Sequence, residues 1–171
     1  IDDLFVADED LVGEEGKGFR TILSGLNAER VIASNASIGI GRAAIRRAVA
    51  YANERVVFGR PIGQNQAIAH PLAEALMRVE AADEMCRKAA WMIDNDIPCG
   101  KEANMAKYLA AKASWEAANA CLQFHGGFGF ANEYDVERKF RETRLYQVAP
   151  VSTNMVLAYV AEHVLGLPRS F

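Results

Sequence analysis

The chain has 171 residues, 51% hydrophobic and 24% charged, the balance of an ordinary soluble globular domain with chain enough for one real core. Lysine and arginine number 19 against 22 acidic residues, and this net charge of −3 argues against a nucleic-acid surface or an acidic tail. No apolar run reaches the roughly 18 residues of a membrane span.

Ile1 stands where an initiator methionine would, so the chain reads as a processed or truncated piece. Bacterial cytoplasm and mitochondrial matrix both fit it. Cys86, Cys99 and Cys121 are odd in number and lack CxxC spacing, which suits a reducing compartment better than a disulfide framework. His70, His125 and His163 lie far apart, and no metal site is expected.

Residues 1–16 mix Leu4, Phe5 and Val6 with an acidic run, and read as the last strand and loop of a preceding β domain. Residues 17–171 have a different character. A first long helix is expected from about Gly18 to Asn53. In the next, from Gln66 to Ile93, Ile68, Leu72, Ala75, Val79, Ala82, Cys86, Ala89 and Ile93 recur at three- and four-residue steps and share one face. Pro71 falls in its first turns, where a proline costs least. Residues 101–124 repeat the pattern with many alanines, which let helices approach closely. Shorter helices are expected over 134–147 and 153–165, and no β-rich segment after residue 16. Breaks at 94–100 and 126–132 are rich in Gly, Asn and Pro. Long amphipathic helices on short connections predict an all-α fold: an antiparallel four-helix up-and-down bundle with short extra C-terminal helices.

Two segments carry chemistry. Glu54-Arg55-Val56-Val57-Phe58-Gly59-Arg60-Pro61-Ile62 ends the first helix and turns at Gly59 and Pro61. Locally it also reads as a helix C-cap with a packing phenylalanine. Gln123-Phe124-His125-Gly126-Gly127-Phe128-Gly129-Phe130 can cradle phosphate through backbone N–H groups. A helix precedes it where the dinucleotide fingerprint needs a strand, so a Rossmann reading fails, and a helix stop with a glycine turn competes.

ERxxFGxPI, then Gln66-Ala67-Ile68, then QxxGGxGF, in this order and spacing, resemble the C-terminal domain of acyl-CoA dehydrogenases from Ile1 to about Leu165. Arg138 and Arg141 fit the family's following helix. The resemblance implies an acyl-CoA substrate and FAD shared across a dimer interface, in a homo-oligomer built as a dimer of dimers. By matching position, Arg55 and Phe58 would meet the cofactor of a neighbouring subunit. Gln123 and Gly127 would approach its adenine and pyrophosphate side, with Gln66 a further contact. Ser152 and Asn154 would touch FAD from a later loop. An electron-transfer flavoprotein is the implied electron acceptor.

Dehydrogenation of an acyl thioester needs a base for the α-proton, and a carboxylate serves once burial raises its pKa. Most of the family carries this glutamate near the C-terminus, in a segment ending Glu-Gly-Thr. Counting from Arg141 puts Pro150 there, so the usual base is absent. The isovaleryl-CoA and long-chain enzymes carry it on the first long helix, and Glu29 matches that position. Arg30 would then position the acyl-CoA or the carboxylate, and Leu26 and Asn27 would lie beside the acyl group. Locally, Glu29 and Arg30 also read as a solvated helix pair. Pro150 lacks the N–H that in the family helps polarise the thioester carbonyl. Two further readings therefore stay open: a same-fold flavoprotein with other thioester chemistry, such as a lyase or desulfinase, and a non-catalytic oligomerisation bundle. The 171 residues alone are expected to be inactive, because the resemblance places the rest of both pockets in preceding domains.

Overall fold

A computed structural model describes residues 1–169. Its framework is three long helices and one shorter one. Helix α1, Gly18–Glu54, is 37 residues long. Helices α2, Gln66–Asp94, and α3, Gly100–His125, follow with 29 and 26 residues. Helix α4, Val136–Leu145, completes the bundle, and α5, Thr153–Tyr159, runs on into a π-helical turn at Val160–Val164.

Pairings along the helices give the directions. Cys86 Sγ donates to Val31 O at 3.5 Å, and Arg42 Nε donates to Glu80 at 2.8 Å, so α1 and α2 run opposite ways. Lys88 meets Glu102 at 3.1 Å and Arg78 meets Glu116, which reverses α3 against α2. Trp115 packs on Phe140 at 4.5 Å and Gln147 Nε2 donates to Ala111 O at 2.7 Å, which reverses α4 against α3. The order is up, down, up, down, as the short connections predict.

Helices α1 and α3 approach closely because their facing residues are small. A Cβ at Gly41 would stand 3.1 Å from Ser114 Cα. Next to it the buried hydroxyls of Ser37 and Ser114 lie 2.6 Å apart, and Ser37 also donates to Ala110 O, so neither hydroxyl is left unsatisfied. On α2 the predicted stripe of Leu72, Ala75, Val79, Ala82, Cys86 and Ala89 is buried. A second apolar cluster, Ala44, Ala48, Leu72, Ala118, Cys121 and Val136, seats the start of α4.

The connection after α1, which turns at Gly59 and Pro61 as its sequence suggests, is a miniature antiparallel hairpin, β1 Val56–Val57 against β2 Arg60–Pro61. Phe58 and Gly59 make its two-residue loop, with φ of 53° and 78°. A loop with positive φ at both positions matches the twist of the flanking strands. Strands of two residues are too short to leave an alternating pattern in sequence. Residues 1–16 hold a 3-10 turn at Asp8–Asp10 and no strand; a lone extended segment has no ladder to join. Among the described residues no helix is long and apolar enough to cross a membrane.

Candidate functional site

Two clefts concentrate the residues that the sequence singles out. The first lies where α1, the hairpin and the end of α3 meet. It encloses about 500 Å³ and is lined by Tyr51, Arg55, Val57 and Ile62 on one side and by Gln123 to Phe128 on the other. Helix α3 stops here because Gly126 adopts a φ of 58°, a conformation glycine takes without a Cβ penalty. His125, buried at the last turn, holds its Nδ1 2.8 Å from Cys121 O and stacks on Tyr51 at 4.2 Å. The Arg55 guanidinium sits 5.9 Å over the Phe128 ring.

The two neighbouring glycines differ in what surrounds them. A Cβ at Gly127 would meet no atom within 4 Å, so that position opens onto free space at the cleft. A Cβ at Gly129 would fall 2.8 Å from Leu122 O, inside the protein. Gly129 is needed for packing, whereas Gly127 leaves its backbone accessible. A guanidinium, a side-chain amide and an unobstructed glycine backbone on one cleft can hold an anionic group that carries a planar ring. This donor set fits the adenine and diphosphate of a dinucleotide.

The second cleft, about 380 Å³, lies between α1 and the segment following α4. Glu29, Ile32, Ala33 and Ala36 line one wall, and Leu145, Tyr146, Ala149 and Pro150 the other. Apart from Glu29 and the Tyr146 hydroxyl the side chains are apolar. The two positions that sequence register offers for a base, 29 and 150, therefore share one cavity.

The other expected site residues are placed as follows. Leu26, Asn27 and Arg30 are half-buried one turn or less from Glu29 but do not line its cleft. Arg30 turns inward and donates through Nη1 to Asn27 Oδ1 at 3.0 Å. Burial pulls its guanidinium below the ordinary arginine value, with Tyr159 and then Glu29 opposing. Phe58 is fully exposed at the hairpin tip, and Gln66 is exposed at the start of α2; neither joins the first cleft within this chain. Ser152 caps α5, its Oγ accepting from Met155 N at 3.4 Å, and Asn154 is exposed two residues on. Among the described residues no group of three or more His, Cys, Asp or Glu side chains is placed to hold a metal ion.

Sequence reasoning passed over Tyr51 and His125 as members of the first cleft. The spacing held one clue: Tyr51 precedes Arg55 by four residues, and i,i+4 residues share a helix face.

Comparison with known proteins agrees with this geometry. Residues 16–165 match the family model described as acyl-CoA dehydrogenase, C-terminal domain. The acyl-CoA dehydrogenase FadE12 of Mycobacterium tuberculosis is 42% identical over 173 aligned positions, covering 100% of this chain and 45% of that protein. The caffeyl-CoA reductase-Etf complex subunit CarC of Acetobacterium woodii is 36% identical, over 86% of this chain and 39% of its own length. The structure of butyryl-CoA dehydrogenase from Megasphaera elsdenii superposes with a TM-score of 0.90 at 32% identity, covering 94% of this chain and 42% of that one. The chain thus spans less than half the length of these relatives. Motif order, bundle topology and these matches agree: the chain belongs to the acyl-CoA dehydrogenase family and corresponds to its C-terminal helical domain.

Proposed function

We propose that the chain works as the C-terminal domain of an FAD-dependent acyl-CoA dehydrogenase in which Glu29 removes the α-proton of the thioester. The observation that carries this reading is the shared cleft of Glu29 and Pro150. A carboxylate at 29 reaches the same cavity as one at 150 would, so the base can change its place in sequence without changing its place in space. When bound, FAD supplies the acceptor for the hydride that leaves the β-carbon.

The chain's own residues divide the remaining work. Glu29 Oε takes and holds the α-proton. Ile32, Ala33, Ala36 and Leu145 offer an apolar wall from which an acyl chain displaces water. Arg30, fixed by Asn27, keeps a positive charge beside the carboxylate through the proton transfer. At the other end of α1, Arg55, Gln123 and the open backbone at Gly127 would hold the adenine and diphosphate part of FAD. Phe58, Gln66, Ser152 and Asn154 would complete that contact in the assembly, a dimer of dimers. Residues 1–16 would belong to the preceding domain, and 17–171 to the bundle. An electron-transfer flavoprotein is the proposed acceptor; the CarC relative is named as part of an Etf complex. The bundle alone would not turn over substrate.

Pro150 favours a second reading. Its nitrogen carries no hydrogen and gives no backbone donor on that wall of the cleft. One lost oxyanion donor typically costs about 10²–10³ in rate. A lyase or other thioester reaction that does not build charge on the carbonyl would not need that donor. Anaerobic titration of the flavin-loaded full-length protein with a panel of acyl-CoAs separates the two. Bleaching of the flavin in the parent and its loss in Glu29→Gln, with flavin still bound, are expected. A parent that binds flavin and bleaches with no acyl-CoA moves the assignment to the second reading.

A further inference from the structure

The register between α1 and the end of the chain sets the shape of the cleft beside Glu29. Arg47 on α1 pairs with Asp135, just before α4, at 2.9 Å, and the two helices run in opposite directions. Eleven residues before Arg47 stands Ala36, and eleven after Asp135 stands Tyr146; fourteen from each gives Ala33 and Ala149. Equal rise per residue makes these two facing pairs. The later strip stays helical past the end of α4, because Val148 N and Ala149 N both donate to Leu145 O at 2.9 Å. All four residues line the cleft. Ala33 lies about 6 Å along α1 from Glu29, and Ala36 about 10.5 Å.

Next to the base, then, two methyl groups face each other, and one turn further a methyl faces a phenol ring. The cleft volume of 380 Å³ spread over about 10.5 Å gives a mean cross-section of about 36 Å². A single extended methylene chain does not fill that width, and gaps beside it forfeit dispersion contacts. The wall is not free to close on a thin chain. Gln147 Nε2 donates to Ala111 O at 2.7 Å and Gln147 O accepts from Thr153 N at 3.2 Å, which pins the segment to α3 and to the start of α5. A dry apolar cavity of about 150 Å³ already holds a benzene ring. Tyr146 is half-buried and has no ring partner among the described residues, whereas Tyr51, Tyr134 and Tyr159 each pack on another ring. A methyl branch would use the width at one carbon; a planar ring uses it across both pairs.

We propose that the cleft takes a 3-arylpropanoyl thioester, its aryl ring entering between Ala33 and Ala149 and packing on Tyr146 over Ala36. Ala149 and Tyr146 are then specificity-determining residues, the first by leaving room and the second by offering a ring face. This deepens the proposed dehydrogenation and rests on it for the chemistry. The Cα–H and Cβ–H bonds break and a double bond forms between the two carbons, in conjugation with the ring. The proton goes to Glu29 and the hydride to the bound flavin.

The test measures binding apart from turnover, by anaerobic calorimetry on the flavin-loaded full-length Glu29→Gln protein. The two probes are 3-phenylpropanoyl-CoA and heptanoyl-CoA, an unbranched thioester of similar reach. The aryl thioester is expected to bind at least about fivefold more tightly. Adding Tyr146→Leu is expected to shrink that ratio about two- to tenfold, and Tyr146→Phe to keep it. Adding Ala149→Leu is expected to weaken the aryl thioester about tenfold and heptanoyl-CoA less than about threefold. Equal or tighter binding of heptanoyl-CoA overturns the proposal, as does a ratio that neither Tyr146→Leu nor Ala149→Leu moves. In the parent, flavin bleaching reads the chemistry separately. Preferred binding of the aryl thioester without bleaching by either probe would uphold the acyl class and overturn the dehydrogenation.

Discussion

Glu29, on the first helix, and Pro150, on the segment that follows the fourth, face each other across one apolar cleft although they stand 121 positions apart in sequence. Their proximity predicts that the base can be moved. Glu29→Gln is expected to lower turnover about 10²–10⁴-fold, the usual contribution of a positioned general base. Adding Pro150→Glu to that variant is expected to restore at least about tenfold of the loss. Steady-state rates of the flavin-loaded full-length variants measure this, and a double variant as slow as Glu29→Gln alone would mean that the two positions are not interchangeable.

The glycines of the α3 terminus should separate binding from folding. Gly129→Ala places a methyl 2.8 Å from Leu122 O and is expected to cost about 1–3 kcal/mol of stability. Gly127→Val points into open space, so stability should stay within about 0.5 kcal/mol of the parent. Flavin content should fall in Gly127→Val instead. Urea midpoints and the flavin-to-protein absorbance ratio read the two effects separately.

Asp83 ties stability to pH. It is 5% exposed and accepts from Arg42 Nη2 and Arg87 Nε, each at 2.9 Å. Burial opposes its charge, but the hydrogen bonds from Arg42 and Arg87 together with their positive charges hold the carboxyl below its ordinary value. A depressed folded-state pKa means stability that is present above the unfolded value of about 3.9 and is lost as pH falls through the folded one. Asp83→Asn is expected to cost about 1–3 kcal/mol at neutral pH. Its deficit should narrow below about pH 4, where the parent loses the same pairing. Denaturant midpoints of both proteins at neutral pH and in acid check the sign.

The helices were readable because their burial follows sequence spacing. The α2 stripe from Leu72 to Ala89 is apolar at every step, and the bundle order follows from the short breaks around Pro98 and Gly126. The hairpin was not readable, since two-residue strands carry no period and Phe58 is not a residue that announces a positive φ. Family register led to Glu29 and Pro150, and only the packing of α1 against the segment after α4 puts them in one cavity. Tyr51 and His125 meet through the pairing of α1 with α3, which is not local. Lys107 was the least legible. In an alanine-rich helix a lysine reads as a solvated position, and its burial is decided entirely by the helices around it. Phe58, Gln66, Ser152 and Asn154 stand apart from both clefts in the single chain.

The length of α1 sets a stoichiometry. Glu29 and Arg55 are carried on the same rod, about 39 Å apart at 1.5 Å per residue, too far for both to serve one cofactor molecule. Each subunit would then lend its base to one active site and its cofactor cleft to another. Two individually defective proteins should therefore rescue each other. Subunits carrying Glu29→Gln, unfolded and reassembled with subunits carrying Arg55→Ala, would form mixed pairs in which one site receives two intact halves and the other two damaged ones. Activity regained on mixing, when neither variant has it alone, would show that the rod bridges neighbouring sites; no recovery despite proven mixed pairs would confine each site to a single chain.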